Sequence, residues 1–467
     1  MKTSSTFSII EHQDFSKKDL KEIFKEKAEI FYEELENFVK DNENFLGFKN
    51  KNTLKAKNYV GIIQTKSGVL EILPKCTDSD SYKEKKDKSL SVSKSKLKYA
   101  YTISNDNKLY TNFSYFQEYK ILKNIKIKKW YSLKEVNFDP KILLINMLKT
   151  LKNSPFKKSQ ISSLQISKMP LFEIFIKMFL DEFDSVITKG LKRDYVSVEE
   201  NRAFLKGKLL FNENIKQNLV HKERFFTQSD EFILDIAPNR LIKSTLNFLK
   251  SKTTMYKFKI TKALQMLDEV EFSTNYAKDF DYKISRHFDY YENILSWCKI
   301  FLQNQSFAPY KGQKEAFALL FPMEKIFEDY VAYMFKFANP NKNIKTQSSG
   351  KYLANKNGEK CFMLKPDLYI ENKMILDTKW KIPDQNSEDK KHGIAQSDLY
   401  QMFAYACKFK INDIKLVYPL CERTFELRKN TKENFIFNAS KHLWFENEKY
   451  YSKDDIKVQI FFAPLPF

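Results

Sequence analysis

Asp367, Asp377 and Lys379 are the residues whose types and spacing carry chemistry most directly in this chain: Pro366-Asp367, nine residues, then Asp377-Thr378-Lys379. Residues 363–370 and 374–379 suit β-strands, and Glu371-Asn372-Lys373 suits the hairpin loop between them. With a three-residue loop, Asp367 falls opposite Asp377, and the period of two brings Lys379 to the same face. Two adjacent carboxylates repel unless a cation lies between them. A hard oxygen site with open positions suits Mg²⁺, with Mn²⁺ as a substitute. Such an ion polarises a phosphate and acidifies water, while Lys379 holds that water or steadies the developing charge. A two-residue loop would instead send the aspartates to opposite faces and leave an ordinary exposed hairpin.

The elements on either side must position this group. Residues 323–337 read as a helix, with Ile326, Tyr330, Tyr333, Met334 and Phe337 at helical spacing. Glu328 shares a side with Val331 and Phe335, so it faces packed surface and needs a cation or hydrogen bonds. Residues 397–409 read as a second helix, on which Gln401 and Tyr405 lie one turn apart. Gln396 and Tyr400 repeat that spacing five residues earlier, but Met402, Ala404 and Ala406 give the later pair the more packed setting. In this order, a helical Glu, a carboxylate hairpin with Lys and a helical Gln-Tyr resemble the PD-(D/E)xK signature of Mg²⁺-dependent nucleases.

More widely, the chain resembles the McrC family, the nuclease subunit of modification-dependent restriction systems, and the related LlaJI-type subunits. Residues 59–63 and 70–75 look like that family's N-terminal strand pair. Residues 190–195 and 205–208 look like its central signature, continued by Asp230, Glu231, Asp235 and residues 239–243. The resemblance spans about residues 55 to 410. It implies a catalytic core of Asp367, Asp377 and Lys379 with Glu328 and Gln401 in support; on this reading Asp367 and Asp377 would bind the metal, Glu328 would be a further ligand, and Gln401 with Tyr405 would orient the core or the DNA backbone. It also implies DNA as substrate and a hexameric AAA+ GTPase as partner, bound through the N-terminal region. Residues 78–98 depart from the family pattern; rich in Lys and Ser, they read as a solvated insertion without chemistry of its own.

Composition sets wider bounds. A length of 467 residues suggests two to four domains, and 42% hydrophobic residues supply ample core. The formal charge of +21 suits a polyanion such as DNA, because lysines gain affinity by releasing counterions from phosphates. With Lys and Asn abundant, 42 Phe and only 9 Gly, part of that charge reflects an AT-rich coding composition. The five cysteines lack C-x-x-C spacing, which argues against structural zinc or a disulfide framework. No P-loop motif is present, so nucleotide hydrolysis is expected in another chain. With no long apolar run and no signal-peptide core, the chain is expected to be cytoplasmic and not to engage a membrane.

The expected architecture is a multidomain α+β or α/β protein. A partly β N-terminal domain (1–155) would bind the partner, a largely helical middle domain would cover 156–310, and 311–467 would form a restriction-endonuclease-like α/β core. Residues 17–42 read as one amphipathic helix with Leu20, Ile23, Phe24, Ile30, Phe31 and Leu35 as its stripe. Residues 112–127 and the stretch around Trp130 mix aromatics with Lys in no clear period. Lys206-Gly207-Lys208 reads as a turn, and Arg240 and Lys243 as partners of the acids before them. Two other readings remain open: a non-cleaving activator of a GTPase, and a stand-alone repair nuclease.

Overall fold

The structure is a computed structural model. It describes residues 5–75, 101–103, 109–111, 139–151, 154–158, 169–303, 316–339, 343–347, 350–383, 391, 393–421, 424, 435–437 and 456–465. The Lys/Ser-rich stretch 78–98, the segment 112–127 and Trp130 lie outside the described residues.

Near the N-terminus, β1 (Thr6–Ile10) precedes two helices, α1 (Lys17–Phe24) and α2 (Ala28–Asp41). They replace the single helix expected over 17–42. Lys25 at φ 51° breaks the run, and a 3₁₀ turn (Lys25–Lys27) joins the pieces. The break re-phases α2: Phe31 and Leu35 stay buried and are joined by Ala28 and Tyr32, while Ile30 turns out to 54% exposure. The expected strand pair is present as β2 (Tyr59–Gln64) and β3 (Val69–Leu73), antiparallel to each other, with β1 added parallel to β3.

The chain divides into two compact units, one built mainly from residues 169–309. In that unit α3 (Leu171–Lys189) forms the expected long apolar helix and ends at Gly190. The sequence reading of a largely helical region missed a three-stranded antiparallel sheet of β4 (Asp194–Arg202), β5 (Lys208–Leu209) and β6 (Phe225–Ile233), in the order β5-β6-β4. One face of these strands is partly covered, but it carries polar residues such as Arg202, Thr227 and Ser229, so the strands lack the apolar alternation of an ordinary half-buried strand. Gly207, at φ 74°, makes the turn into β5; a Cβ there would lie 2.3 Å from the Gln228 carbonyl oxygen. On α4 (Ala237–Lys250), Arg240 grips Asp235 through two 2.7 Å hydrogen bonds, the acid pairing expected. Lys243 differs from expectation, donating to the backbone carbonyls of Asp268 and Val270 instead of to an acid.

The second unit joins residues 6–158 to 310–467. The first C-terminal strand, β7 (Phe317–Pro322), pairs antiparallel with β2 and completes a β1-β3-β2-β7 sheet. The stretches read from sequence as N-terminal and C-terminal domains therefore share a sheet. Gly61 permits the pairing: at φ 134° its backbone passes so close to β7 that a Cβ would sit 2.0 Å from the Leu319 oxygen. Next come α5 (Met323–Ala338), β8 (Ile344–Thr346), a ribbon of β9 (Lys351–Lys356) and β10 (Glu359–Leu364), β11 (Leu368–Ile370), β12 (Met374–Thr378), α6 (Gln396–Phe409), β13 (Asp413–Leu420), β14 (Phe435–Phe437) and β15 (Ile456–Pro464). The main sheet runs β8-β11-β12-β13-β15-β14, with β12, β13 and β15 parallel and the rest antiparallel. Under it, α6 buries Met402, Tyr405, Ala406 and Phe409 against Ile414, Leu416 and Val458. The strand expected over 363–370 is interrupted where Pro366 removes a donor, so β10 ends before it and β11 begins after it.

Candidate active site

The hairpin turns as a three-residue loop should. Leu368 pairs with Leu376 and Ile370 with Met374, leaving Glu371–Lys373 as the turn. Continued by one position, that register sets Asp367 opposite Asp377. Asp367 is fixed across the hairpin, its Oδ2 accepting from the Thr378 amide at 2.7 Å and the Thr378 hydroxyl at 2.6 Å.

Asp377 is only 2% exposed, because β12 is interior to the sheet. Lys379 Nζ stands 2.6 Å from its Oδ2, yet no hydrogen bond is aligned on that buried oxygen. The contact is an ion pair in which Lys379 compensates the buried charge. Burial pushes the Asp377 carboxyl up to about 7, Asp367 pushes it the same way, and Lys379 opposes both. For Lys379, burial alone would weaken the charge, but Asp377 outweighs it and holds the ammonium above its ordinary value.

A relay of side chains holds the lysine. Lys379 Nζ donates to Gln401 Oε1 at 2.8 Å, Gln401 Nε2 donates to the Tyr405 oxygen at 2.8 Å, and the Tyr405 hydroxyl donates to the Lys365 carbonyl at 3.2 Å. The alternative Gln396–Tyr400 pair is also hydrogen-bonded, but Tyr400 is 64% exposed and neither residue reaches the cleft.

Glu328 lines the same cleft from α5, as its helical position predicts, between buried Val331 and Phe335. Its Oε1 is engaged, accepting from Lys325 Nζ and Gln347 Nε2, each at 2.9 Å. Burial raises its pKa, helped by the charge of Asp367. Among the described residues no three Asp, Glu, His or Cys side chains converge as a metal-binding group. The hard oxygens offered together are thus those of Asp367 and Asp377, with Glu328 turned toward its own cation.

Sequence reasoning missed four residues here. Lys381 Nζ donates to both oxygens of buried Asp398, at 2.9 and 3.0 Å, on the rim of a cleft of about 470 Å³. Trp380 donates to Glu11 Oε2 at 2.9 Å, tying the Asp367–Asp377 hairpin to the residue after β1. Separations of 17 and 369 residues leave no local pattern to find. Also missed was the β9–β10 ribbon, although Asn357-Gly358 at its tip is a strong hairpin signal.

The chain belongs to the McrBC 5-methylcytosine restriction system component family, whose sequence model matches residues 54–419. It is similar in fold to a chain of the structure described as "Refined half-complex from tetradecameric assembly of Thermococcus gammatolerans McrB AAA+ hexamers with bound McrC". That match has a TM-score of 0.59 and 16% identity, covering 98% of this chain and 95% of that one. A chain of "Cryo-EM structure of the Thermococcus gammatolerans McrBC complex" aligns at TM-score 0.42 and 18% identity, over 71% of this chain and 87% of that one. No curated protein matches the chain. Among the described residues no helix is long and apolar enough to cross a membrane.

Proposed function

We propose that this chain is the Mg²⁺-dependent DNA endonuclease subunit of a modification-dependent restriction system, an McrC-like partner of a hexameric AAA+ GTPase. The observation that carries the reading is Asp377: a buried carboxylate beside Asp367 and Lys379, with an oxygen that receives no aligned donor, at the floor of an open cleft. Even paired with Lys379, a carboxylate buried beside a second carboxylate is costly to keep charged, and groups of that kind cluster at functional sites.

The donor set fits a hard divalent cation. Asp367 and Asp377 would hold it, with Glu328, which lines the same cleft, as the candidate for a further oxygen ligand. When bound, the ion supplies Lewis-acid polarisation of a phosphate oxygen and lowers the pKa of water. Lys379, kept charged by Asp377 and aimed by Gln401, orients the attacking water or steadies the charge on the phosphate. Lys325, Lys365 and Lys381 on the cleft rim attract the flanking phosphates. Family membership and the fold likeness to a chain from McrB hexamers with bound McrC support the partnership with a motor.

The test is cleavage of methylated and unmethylated plasmid with Mg²⁺ and the AAA+ GTPase, with and without GTP, by wild type and Asp377→Ala. GTP-dependent cutting that the substitution abolishes supports the proposal. Cutting without GTP would point to a stand-alone nuclease. GTPase stimulation with no cutting by either protein would make the chain an activator.

A further inference from the structure

The β9–β10 ribbon leaves the main sheet just before the catalytic hairpin. Its strands pair from Lys351↔Leu364 to Lys356↔Glu359, closed by Asn357-Gly358 with φ of 51° and 85°. Nearly every residue along it is solvent-exposed, including Leu353 (44%), Phe362 (74%) and Met363 (43%). Its charge is basic: Lys351, Lys356 and Lys360 against Glu359, and none of these lysines forms an ion pair among the described residues. Its root is fixed. Leu364 packs on the cluster of Tyr405 and Phe409, and the Tyr405 hydroxyl holds the Lys365 carbonyl, two residues from Asp367.

A ribbon with both faces in water gains nothing from burial, so its exposed apolar side chains call for a partner. Three lysines without an acidic partner, one of them (Lys360) resting over the Tyr352 ring at 5.7 Å, suit a polyanion. The dimensions agree with duplex DNA: strands about 4.8 Å apart, roughly 10 Å across with side chains, match a major groove about 12 Å wide. Six residues extend roughly 20 Å, more than the groove's depth of about 8.5 Å.

Resting on the nuclease reading above, we propose that the β9–β10 ribbon enters a groove of double-stranded DNA and delivers one strand's backbone to the Asp367–Asp377 cleft. Lys356 and Lys360 engage phosphates on the groove walls, and Phe362 supplies the apolar contact within the groove. An apolar protein partner would use the apolar side chains but would leave the charges of Lys351 and Lys356 unanswered.

The test measures binding of the full-length chain to a fluorescent 30-base-pair duplex and to the matching single strand, across a salt series. An Asp377→Asn background prevents cutting. Lys356→Glu/Lys360→Glu is expected to weaken duplex binding about 10- to 100-fold near 0.1 M salt and to flatten the salt slope by about two. Phe362→Ala is expected to weaken it several-fold without changing the slope, and single-strand binding should change less than duplex binding. The same charge reversal at exposed Lys18 and Lys27 serves as the control, expected within twofold of the background protein. The proposal is overturned if duplex binding is unchanged by the ribbon variants, or falls equally in the control. Unchanged DNA binding with lost stimulation of the AAA+ GTPase would overturn it too, making the ribbon a protein contact. Because binding is read without cleavage, a failed nuclease reading would leave this result standing, and the reverse.

Discussion

Asp367 and Asp377 face one another across a three-residue turn, yet their surroundings differ sharply. One oxygen of Asp367 is satisfied twice by Thr378, whereas buried Oδ2 of Asp377 has the Lys379 ammonium beside it and no aligned donor. On the function proposed above, that asymmetry belongs to a site kept for a ligand at the expense of stability. Asp377→Asn should therefore abolish cutting, by at least about 100-fold, while stabilising the fold by about 1 kcal/mol. Chemical denaturation beside the plasmid assay checks both; loss of activity with loss of stability would make Asp377 a structural residue.

Lys379 and Asp377 should be energetically coupled. Lys379→Met strands the carboxylate and is expected to cost about 3 kcal/mol, whereas the same change in an Asp377→Asn background should cost about 1 kcal/mol. A double-mutant cycle by urea denaturation reads the difference directly. Additive effects would show that the 2.6 Å contact carries no energy.

Gln401 orients Lys379 without bearing charge. Gln401→Ala should lower the cutting rate about 10- to 100-fold with little change in stability, because the lysine keeps its charge but loses its aim. Tyr405→Phe removes one link further from the reacting atoms and should cost about 1 kcal/mol of stability with a smaller loss of rate. Single-turnover kinetics separates the two, and the reverse order would place Tyr405, not Gln401, next to the chemistry.

Glu11 gives the fold a pH dependence. Burial pushes its carboxyl up to about 7, from an ordinary 4.5, although Lys75 and Trp380 favour its charge. A raised folded-state value in an acid means stability present in full below about 4.5 and lost as pH rises through 7. Above that, the buried carboxylate costs up to about 3 kcal/mol. Glu11→Gln keeps an acceptor for Trp380 and removes the charge, so it should be the more stable protein at pH 8 and match wild type near pH 4.5. Denaturation midpoints at both values test it; a gap that is constant with pH would assign the effect to packing.

Much of the candidate site's geometry was legible because its spacing is local. Asp367, Asp377 and Lys379 lie within one hairpin, Glu328 and the Gln401–Tyr405 pair each lie on one helix, and periods of 2 and 3.6 carry that information. What escaped is long-range or unpatterned. The pairing of β7 with β2 and the bond from Trp380 to Glu11 link residues hundreds of positions apart. The β4–β6 sheet escaped because its covered positions include the polar Arg202, Thr227 and Ser229, so its alternation in burial has no apolar counterpart in the sequence. The break at Lys25 escaped because an exposed lysine at positive φ leaves no mark in the apolar stripe.

The central claim is that Asp367 and Asp377 hold a divalent cation, and Mn²⁺ binding to the full-length chain at pH 8, followed by calorimetry or electron paramagnetic resonance, tests it most directly. The account predicts a site in the wild type that is weakened at least about tenfold in both Asp367→Asn and Asp377→Asn, with both variants folded. Binding of equal strength in wild type and both variants would contradict it.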